Sequence, residues 1–241
     1  MPLKSSDEQL QARGFLSEAA YLDFKARLTG PLCAHLGSRD ATIRTFAARS
    51  MAAENTPQHL DALCERLTIE KKLYTKIEIC NALTHFGEAA FARLLPLLGK
   101  IGSNQHTEMA NVDLGKKSYP LPRDIVARIL IRMGPQVLPY LEAGFHEMCA
   151  QALSEALDVI GHISASSGDT TMEGVLFDRY TSENSALIRW KLIRAFQAFP
   201  TPRIINALTE IIENPEAPPI LAQEAQRSLD RICERNTARG G

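Results

Sequence analysis

The sequence predicts an all-α fold made of about five to six stacked helical hairpins. Three observations support this fold class: apolar residues recur at helical spacing, one apolar pattern returns six times, and a second helical run follows most copies. With 241 residues, 45% of them hydrophobic, the chain is long enough to bury a sizeable core. A single hairpin cannot bury its own apolar stripe, so neighbouring hairpins are expected to stack.

The first helix of each hairpin carries the repeated pattern. Its third position is small in five of six copies, its fourth is always large and apolar, and its seventh is apolar in five. Positions four and seven lie on one helical stripe, and the small residue lets a neighbouring backbone approach. The copies, spaced 32, 47, 27, 39 and 33 residues apart, are "ARSMAAEN" from Ala48, "CNALTHFG" from Cys80, "ARILIRMG" from Ala127, "SEALDVIG" from Ser154, "IRAFQAFP" from Ile193 and "QRSLDRIC" from Gln226.

Helix boundaries follow from glycine and proline. We expect Gly87, Gly134, Gly161 and Pro200 to end first helices, because these residues disfavour continued helix. The second helices then follow in runs such as "TPQHLDALCERL" and "TPRIINALTEII", which open with Thr and Pro as helix starts do. Four residues before each copy lies a mostly basic column: Arg44, Lys76, Arg123, Ala150, Arg189 and Ala222.

The stretch "DATIRTFAARSM", from Asp40 to Met51, resembles the first helix of a HEAT-like repeat, and the likeness covers roughly residues 38 to 233. The resemblance implies a right-handed α-solenoid with a concave face of second helices that holds a partner. We expect an N-terminal helical cap over residues 1–37 and a repeat solenoid over 38–235. Uncharacterised bacterial HEAT-like proteins are the nearest group. The basic column fails at Ala150 and Ala222, which argues against a continuous polar ladder.

The gap between the second and third copies contains about a dozen extra residues. We expect an inter-repeat loop at about 102–122, ending in "GKKSYPLP", with Pro120 and Pro122 disfavouring helix. One interpretation is that the loop supplies charge and an aromatic face to an acidic or phosphorylated partner. The other is a disordered insertion. The partner-binding candidates are Lys116, Lys117, Tyr119 and Arg123.

The single tryptophan, Trp190, stands in a column that is otherwise mostly polar and expected to face solvent. An exposed tryptophan could anchor a partner, so Trp190 is the fifth binding candidate. The alternative is that Trp190 covers an adjacent repeat.

Composition excludes several classes of function. With 27 basic and 28 acidic residues, the chain lacks the basic excess expected for binding nucleic acid. Its start is not that of a signal peptide, and no apolar run reaches 18 residues, so we expect a cytoplasmic protein without membrane attachment. The five cysteines and six histidines are scattered, without CxxC or HExxH, so no metal or other cofactor is expected.

These observations favour a non-enzymatic adaptor that holds a protein or peptide on its concave face. The alternative is a HEAT-like enzyme, such as a lyase-type protein acting on a bound chromophore or small molecule. Phycobilin lyases resemble the repeat pattern, but no bilin site is evident. In deoxyhypusine hydroxylase, the iron site resembles repeated His-Glu pairs on successive helices. This chain has one such pair, His146-Glu147. Alkylpurine DNA glycosylases carry several tryptophans in their groove, against one here.

Overall fold

In a computed structural model, residues 5–103, 105, 107–109 and 119–239 are described, and these residues form helices and connections without any strand. The all-α prediction is therefore confirmed. No helix in these ranges is both long and apolar enough to cross a membrane.

The chain divides into two compact units between Leu94 and Leu95. The predicted boundary between a cap at 1–37 and a solenoid at 38–235 stays a prediction. The first unit contains α1 (Asp7–Ala12), α2 (Glu18–Arg27), α3 (Leu32–Leu36), α4 (Ala41–Glu54), α5 (Pro57–Ile69), α6 (Leu73–His85) and α7 (Phe91–Leu94).

The second unit contains the remaining helices, and short 3-10 turns lead into or out of some of them. Its α-helices are α8 (Ile125–Met133), α9 (Leu138–Gly144), α10 (Ala150–Ser167), α11 (Glu173–Ser182), α12 (Ala186–Phe196), α13 (Pro202–Glu213) and α14 (Pro219–Arg239).

The six repeated segments lie on α4, α6, α8, α10, α12 and α14. Within the first unit α4 packs on α6, and within the second unit α8 packs on α10, α10 on α12 and α12 on α14. The predicted apolar columns form the core: the fourth-position residues are fully buried from Met51 to Phe196, and Leu229 is half-buried. Each such burial contributes roughly 1.5 to 3 kcal/mol. Stacking of first helices is thus the main packing mode in each unit.

Short polar side chains set where several of these helices begin. Asp40, Asp124, Ser185 and Thr201 precede α4, α8, α12 and α13, and each side chain accepts a hydrogen bond from a backbone N–H of the first turn. Such caps satisfy amide groups that the helix itself leaves unpaired. They also fix the register at which the side chains of each helix meet the next.

Gly161 departs from its predicted role. Gly134 ends α8 as expected, with φ +86°, but α10 continues through Gly161 to Ser167 and ends at Gly168. The prediction that Gly161 ends its helix is therefore wrong. Glycine is needed at this position for a different reason, because a Cβ there would collide with the ring and hydroxyl of Tyr119.

Candidate functional site

Three charged side chains are buried between α10 and α12. Glu155 is 1% exposed, Asp158 4% and Lys191 0%. Glu155 and Asp158 are three residues apart on α10 and so share one helical face. Charged residues are almost never fully buried unless they are paired, so this cluster requires a structural or chemical explanation.

Lys191 divides its hydrogen bonds unequally within the cluster. Its Nζ lies 2.8 Å from Asp158 Oδ2, 3.0 Å from the carbonyl oxygen of Ser154 and 3.5 Å from Glu155 Oε1. The ammonium group can donate three hydrogen bonds, and the contacts with Asp158 and the Ser154 carbonyl have the short lengths of the stronger hydrogen bonds. Glu155 is therefore the weakly paired member.

The pKa of Glu155 reflects this arrangement. Burial raises it from 4.5 to about 7, since Lys191 offsets the lost hydration only in part and the carboxylates of Asp158 and Asp124 repel further negative charge. A carboxyl group with a pKa near neutrality can both donate and accept a proton at physiological pH. Such groups are concentrated at functional sites.

Asp124 places a further carboxylate beside this cluster and ties the preceding loop to it. Its Oδ1 accepts from the backbone N–H of Ala127 at 2.8 Å, and its Oδ2 accepts from Gln105 Nε2 at 3.0 Å. The side chain is 1% exposed. Gln105 belongs to the predicted loop, whose residues in the described part form no helix.

An open cleft of about 550 Å³ adjoins Glu155. Its apolar wall includes Ala150, Leu187 and Ile188, and its polar wall includes Gln105, Gln151 and Ser154. The Oγ of Ser154 is buried and has no hydrogen-bond partner among the described residues. A cleft of this size with few polar groups is typical of sites for small molecules.

The repeat itself explains why Glu155 is poorly neutralised. The second position of the pattern is arginine in four of six copies. Two of these arginines, Arg49 and Arg194, pair with the residue two places before the next copy. Glu155 places a negative charge at the second pattern position, where these arginines are positive. Its partner two places before the next copy is accordingly a lysine, Lys191, where the other pairs have a glutamate. The three pairs are Arg49–Glu78 at 3.2 Å, Arg194–Glu224 at 3.2 Å and Lys191–Glu155 at 3.5 Å.

Sequence reasoning missed Glu155, Asp158 and Lys191, although a signal was present. Comparison of the second pattern position across the copies isolates Glu155 as the only acidic residue in a mostly basic column. The identity of its partner needed the structure, because Lys191 is 36 residues further along the chain.

The structure describes three of the five predicted binding residues. Lys116 and Lys117 lie outside the described residues, and Arg123 is exposed. Tyr119 is buried, with its ring 5.9 Å from that of His162 on α10 and at an angle of 83° to it. A partner-binding role for these four residues stays a prediction.

The prediction that Trp190 faces solvent is wrong. Its side chain is 0% exposed, and the guanidinium of Arg194 lies 3.8 Å from the centre of its ring. The surrounding column is polar, but α12 packs between α10 and α14, and this places Trp190 in the core. Its proposed role as a partner anchor stays a prediction.

Among the described residues, no group of three or more His, Cys, Asp or Glu side chains is arranged to hold a metal ion. His146 and Glu147 are both exposed, in a turn before α10. None of the five cysteines, all of which lie within the described residues, forms a disulfide.

Comparison with known proteins gave one informative result. No family model and no curated protein sequence matches the chain. Among solved structures, human deoxyhypusine hydroxylase in complex with glycerol matches it with 14% sequence identity, covering 90% of this chain and 89% of that chain, at a TM-score of 0.35.

This result corrects the prediction of a non-enzymatic scaffold, and with it the expectation that the chain is not an enzyme. The matching protein is an enzyme, and a HEAT-like enzyme is the alternative prediction. At this level of similarity the match assigns no role to any residue of this chain.

Proposed function

We propose that the chain is a HEAT-like enzyme, akin to the bacterial HEAT-like proteins, that acts on a small molecule through general acid–base catalysis by Glu155. The observation that carries the proposal is a buried carboxyl group that lines a cleft and has a pKa of about 7. At neutral pH such a group is present in both protonation states, which is the condition for efficient proton transfer in either direction.

In the proposed reaction, Glu155 is the catalytic residue. Its carboxylate takes a proton from a carbon or heteroatom of the bound molecule, and the electron pair left behind forms a double bond as the bond from the neighbouring atom to the leaving group breaks. The resulting carboxyl group gives its proton to the leaving group. The balance is an elimination or its reverse, an addition, which is the lyase-type chemistry of the alternative prediction. No electron acceptor is needed, because only a proton and an electron pair are moved.

Lys191 and Asp158 act as positioning residues in this scheme. Lys191 donates to Asp158, to the Ser154 carbonyl and to Glu155, so it holds the carboxyl group toward the cleft from the side of α12. Because Asp158 is bound more closely than Glu155, the lysine does not neutralise Glu155 completely. This arrangement keeps the pKa of Glu155 near neutrality.

The proposal is tested by incubating the full chain with a small-molecule extract of cells and following depletion of compounds by mass spectrometry. The variants are Glu155→Gln and, as a matched control, Glu142→Gln, which removes an exposed carboxylate of the same unit. We expect depletion of a compound by the wild type and Glu142→Gln, and at least a hundredfold slower depletion by Glu155→Gln. No depletion by the wild type, or equal rates for Glu155→Gln, would contradict the proposal.

A further inference from the structure

We propose that the cleft beside Glu155 binds a small primary alkylammonium ligand, with its nitrogen against Glu155 and the hydroxyl of Ser154 and its alkyl chain on the apolar wall. This inference names the ligand class of the site in "Proposed function" and rests on that proposal. Four observations support it: the charge balance, an unused acceptor, an unpartnered hydroxyl and the lining of the cleft.

The charge balance around Glu155 leaves an excess of negative charge. Asp124 and Asp158 are buried acids that each interact with Glu155. Lys191 is the one cation in the described part of the chain that forms an ion pair with this group, and Arg194 acts on Asp158 electrostatically without an ion pair. Arg194 on the same helix as Lys191 is already paired with Glu224 on α14, to which Arg227 also binds. A bound monocation would restore neutrality; without it, protonation of Glu155 does so in part.

Two oxygen acceptors belong to residues that line the cleft. Lys191 contacts Oε1 of Glu155, and among the described residues no donor reaches Oε2. Ser154 is 3% exposed, lines the cleft and has an Oγ without a partner among the described residues. A carboxylate oxygen and a hydroxyl oxygen accept two of the three ammonium protons, and the third remains for water on the open side.

The lining of the cleft favours a cation with a short apolar chain over an anion. Glu155 is the only ionisable side chain among the described residues that line it, so among these residues an anion would meet a like charge and no cation. Ala150, Leu187 and Ile188 provide a surface for a few methylene groups. Gln105 and Gln151 add neutral amides at the rim. Charge and shape together point to an alkylammonium.

The test compares three probes of equal size and different charge: n-butylammonium, 1-butanol and butyrate. Each is titrated into the isotopically labelled full chain, and binding is followed by NMR. We expect n-butylammonium to perturb residues lining the cleft and to bind at least tenfold more tightly than either other probe. Equal or tighter binding of butyrate or 1-butanol would overturn the proposal.

The pH dependence provides a second readout. A cation binds the ionised form of Glu155, and that fraction rises from about one tenth at pH 6 to about nine tenths at pH 8 when the pKa is about 7. The affinity for n-butylammonium, which stays protonated across this range, should therefore rise about tenfold. An affinity that falls with increasing pH would contradict the inference.

Single substitutions test which side chains contact the bound n-butylammonium. Glu155→Gln should remove the preference for n-butylammonium, Ser154→Ala should weaken its binding at least threefold without changing the preference, and Glu142→Gln should bind like the wild type. Unchanged binding in Glu155→Gln would overturn the inference.

Failure of this inference and failure of the proposed function are distinguishable. Glu155-dependent depletion of a neutral or anionic compound, without n-butylammonium binding, would reject the ligand class and leave the enzyme proposal standing. Selective n-butylammonium binding without depletion of any compound would reject catalysis and leave the ammonium-binding cleft.

Discussion

The surroundings of Glu155 disfavour the ionised form of its carboxyl group. Its carboxylate has lost most of its hydration, faces two other carboxylates and shares a lysine that is bound more closely to Asp158. Its folded-state pKa of about 7 lies above the ordinary 4.5, so the folded chain holds a proton that the unfolded chain releases. This group thus contributes stability that is fully present below about pH 4.5 and is lost as pH rises to about 7. A bound cation would oppose this loss.

Tyr119 and Gly161 form a second close arrangement at the residue scale. Tyr119 follows the undescribed part of the loop and rests on α10 at Gly161, where a Cβ would collide with the phenol ring and hydroxyl. The neighbouring Pro120 accepts a hydrogen bond from His162, one residue further along α10. Glycine at this position is therefore explained by close approach and not by helix termination.

Replacement of Gly161 by alanine tests this contact. Alanine favours an α-helix over glycine by up to about 1 kcal/mol, but here overpacking should outweigh that gain and destabilise the chain by about 1 to 3 kcal/mol. Denaturant unfolding provides the measurement. Gly174→Ala on α11 is the control, because nothing lies within 4 Å of its Cβ position, and it should cause no loss of stability.

The double variant Gly161→Ala with Tyr119→Ala separates the clash from other effects. It should lose no more stability than Tyr119→Ala alone, because the clashing ring is gone. A single variant Gly161→Ala as stable as the wild type would contradict the close approach of Tyr119.

At the scale of elements, Glu70 joins three helices of the first unit. It follows α5 and accepts hydrogen bonds from Arg44 on α4 at 2.8 and 2.9 Å, from Arg66 on α5 at 2.8 Å and from the backbone N–H of Lys71 and Lys72 before α6. Burial alone would raise the pKa of Glu70, but these hydrogen bonds outweigh it and lower the pKa to about 2. Arg44, the first residue of the basic column found in the sequence, is one of the two arginines that bind Glu70 at this junction.

Glu70→Gln should destabilise the chain by about 3 kcal/mol at pH 7, because Arg44 would be left as a buried charge without its carboxylate. The folded pKa lies below the ordinary value, so this stability is present above about pH 4.5 and is lost as pH falls toward 2. The difference between wild type and variant should shrink accordingly, as measured by chemical denaturation from pH 7 to pH 3.

The control for this junction is Asp23→Asn, which removes half of the exposed Arg27–Asp23 pair on α2. Exposed pairs are screened by solvent, so its melting temperature should match that of the wild type. A Glu70→Gln variant that behaves like this control would show that the junction contributes nothing.

At the scale of the whole molecule, the repeat pattern predicted the helices and the core because both depend on local periodicity. The fourth and seventh positions are buried wherever an apolar stripe meets the next first helix, as at Leu157 and Ile160. The burial of Trp190 could not be predicted from the repeat pattern. Its column is mostly polar in the other copies, and its burial depends on packing between α10 and α14.

The candidate site was less accessible to sequence reasoning because its defining feature is a pairing between helices. Arg49 with Glu78 and Arg194 with Glu224 follow one rule of the repeat, whereas Glu155 with Lys191 inverts it. A column-by-column comparison could have found the inversion. The weak pairing at 3.5 Å and the adjoining cleft depend on distances that a sequence does not contain.

The central claim, that Glu155 is held near neutrality beside an open cleft, is tested most directly by NMR titration of its side-chain carboxyl carbon. The chain is labelled with ¹³C at glutamate carboxyl groups, and Glu155→Gln identifies the signal. The account predicts a midpoint of about 7 for Glu155. A midpoint at the ordinary value of about 4.5 would contradict the account, because the group would then be fully ionised at neutral pH and unable to act as an acid.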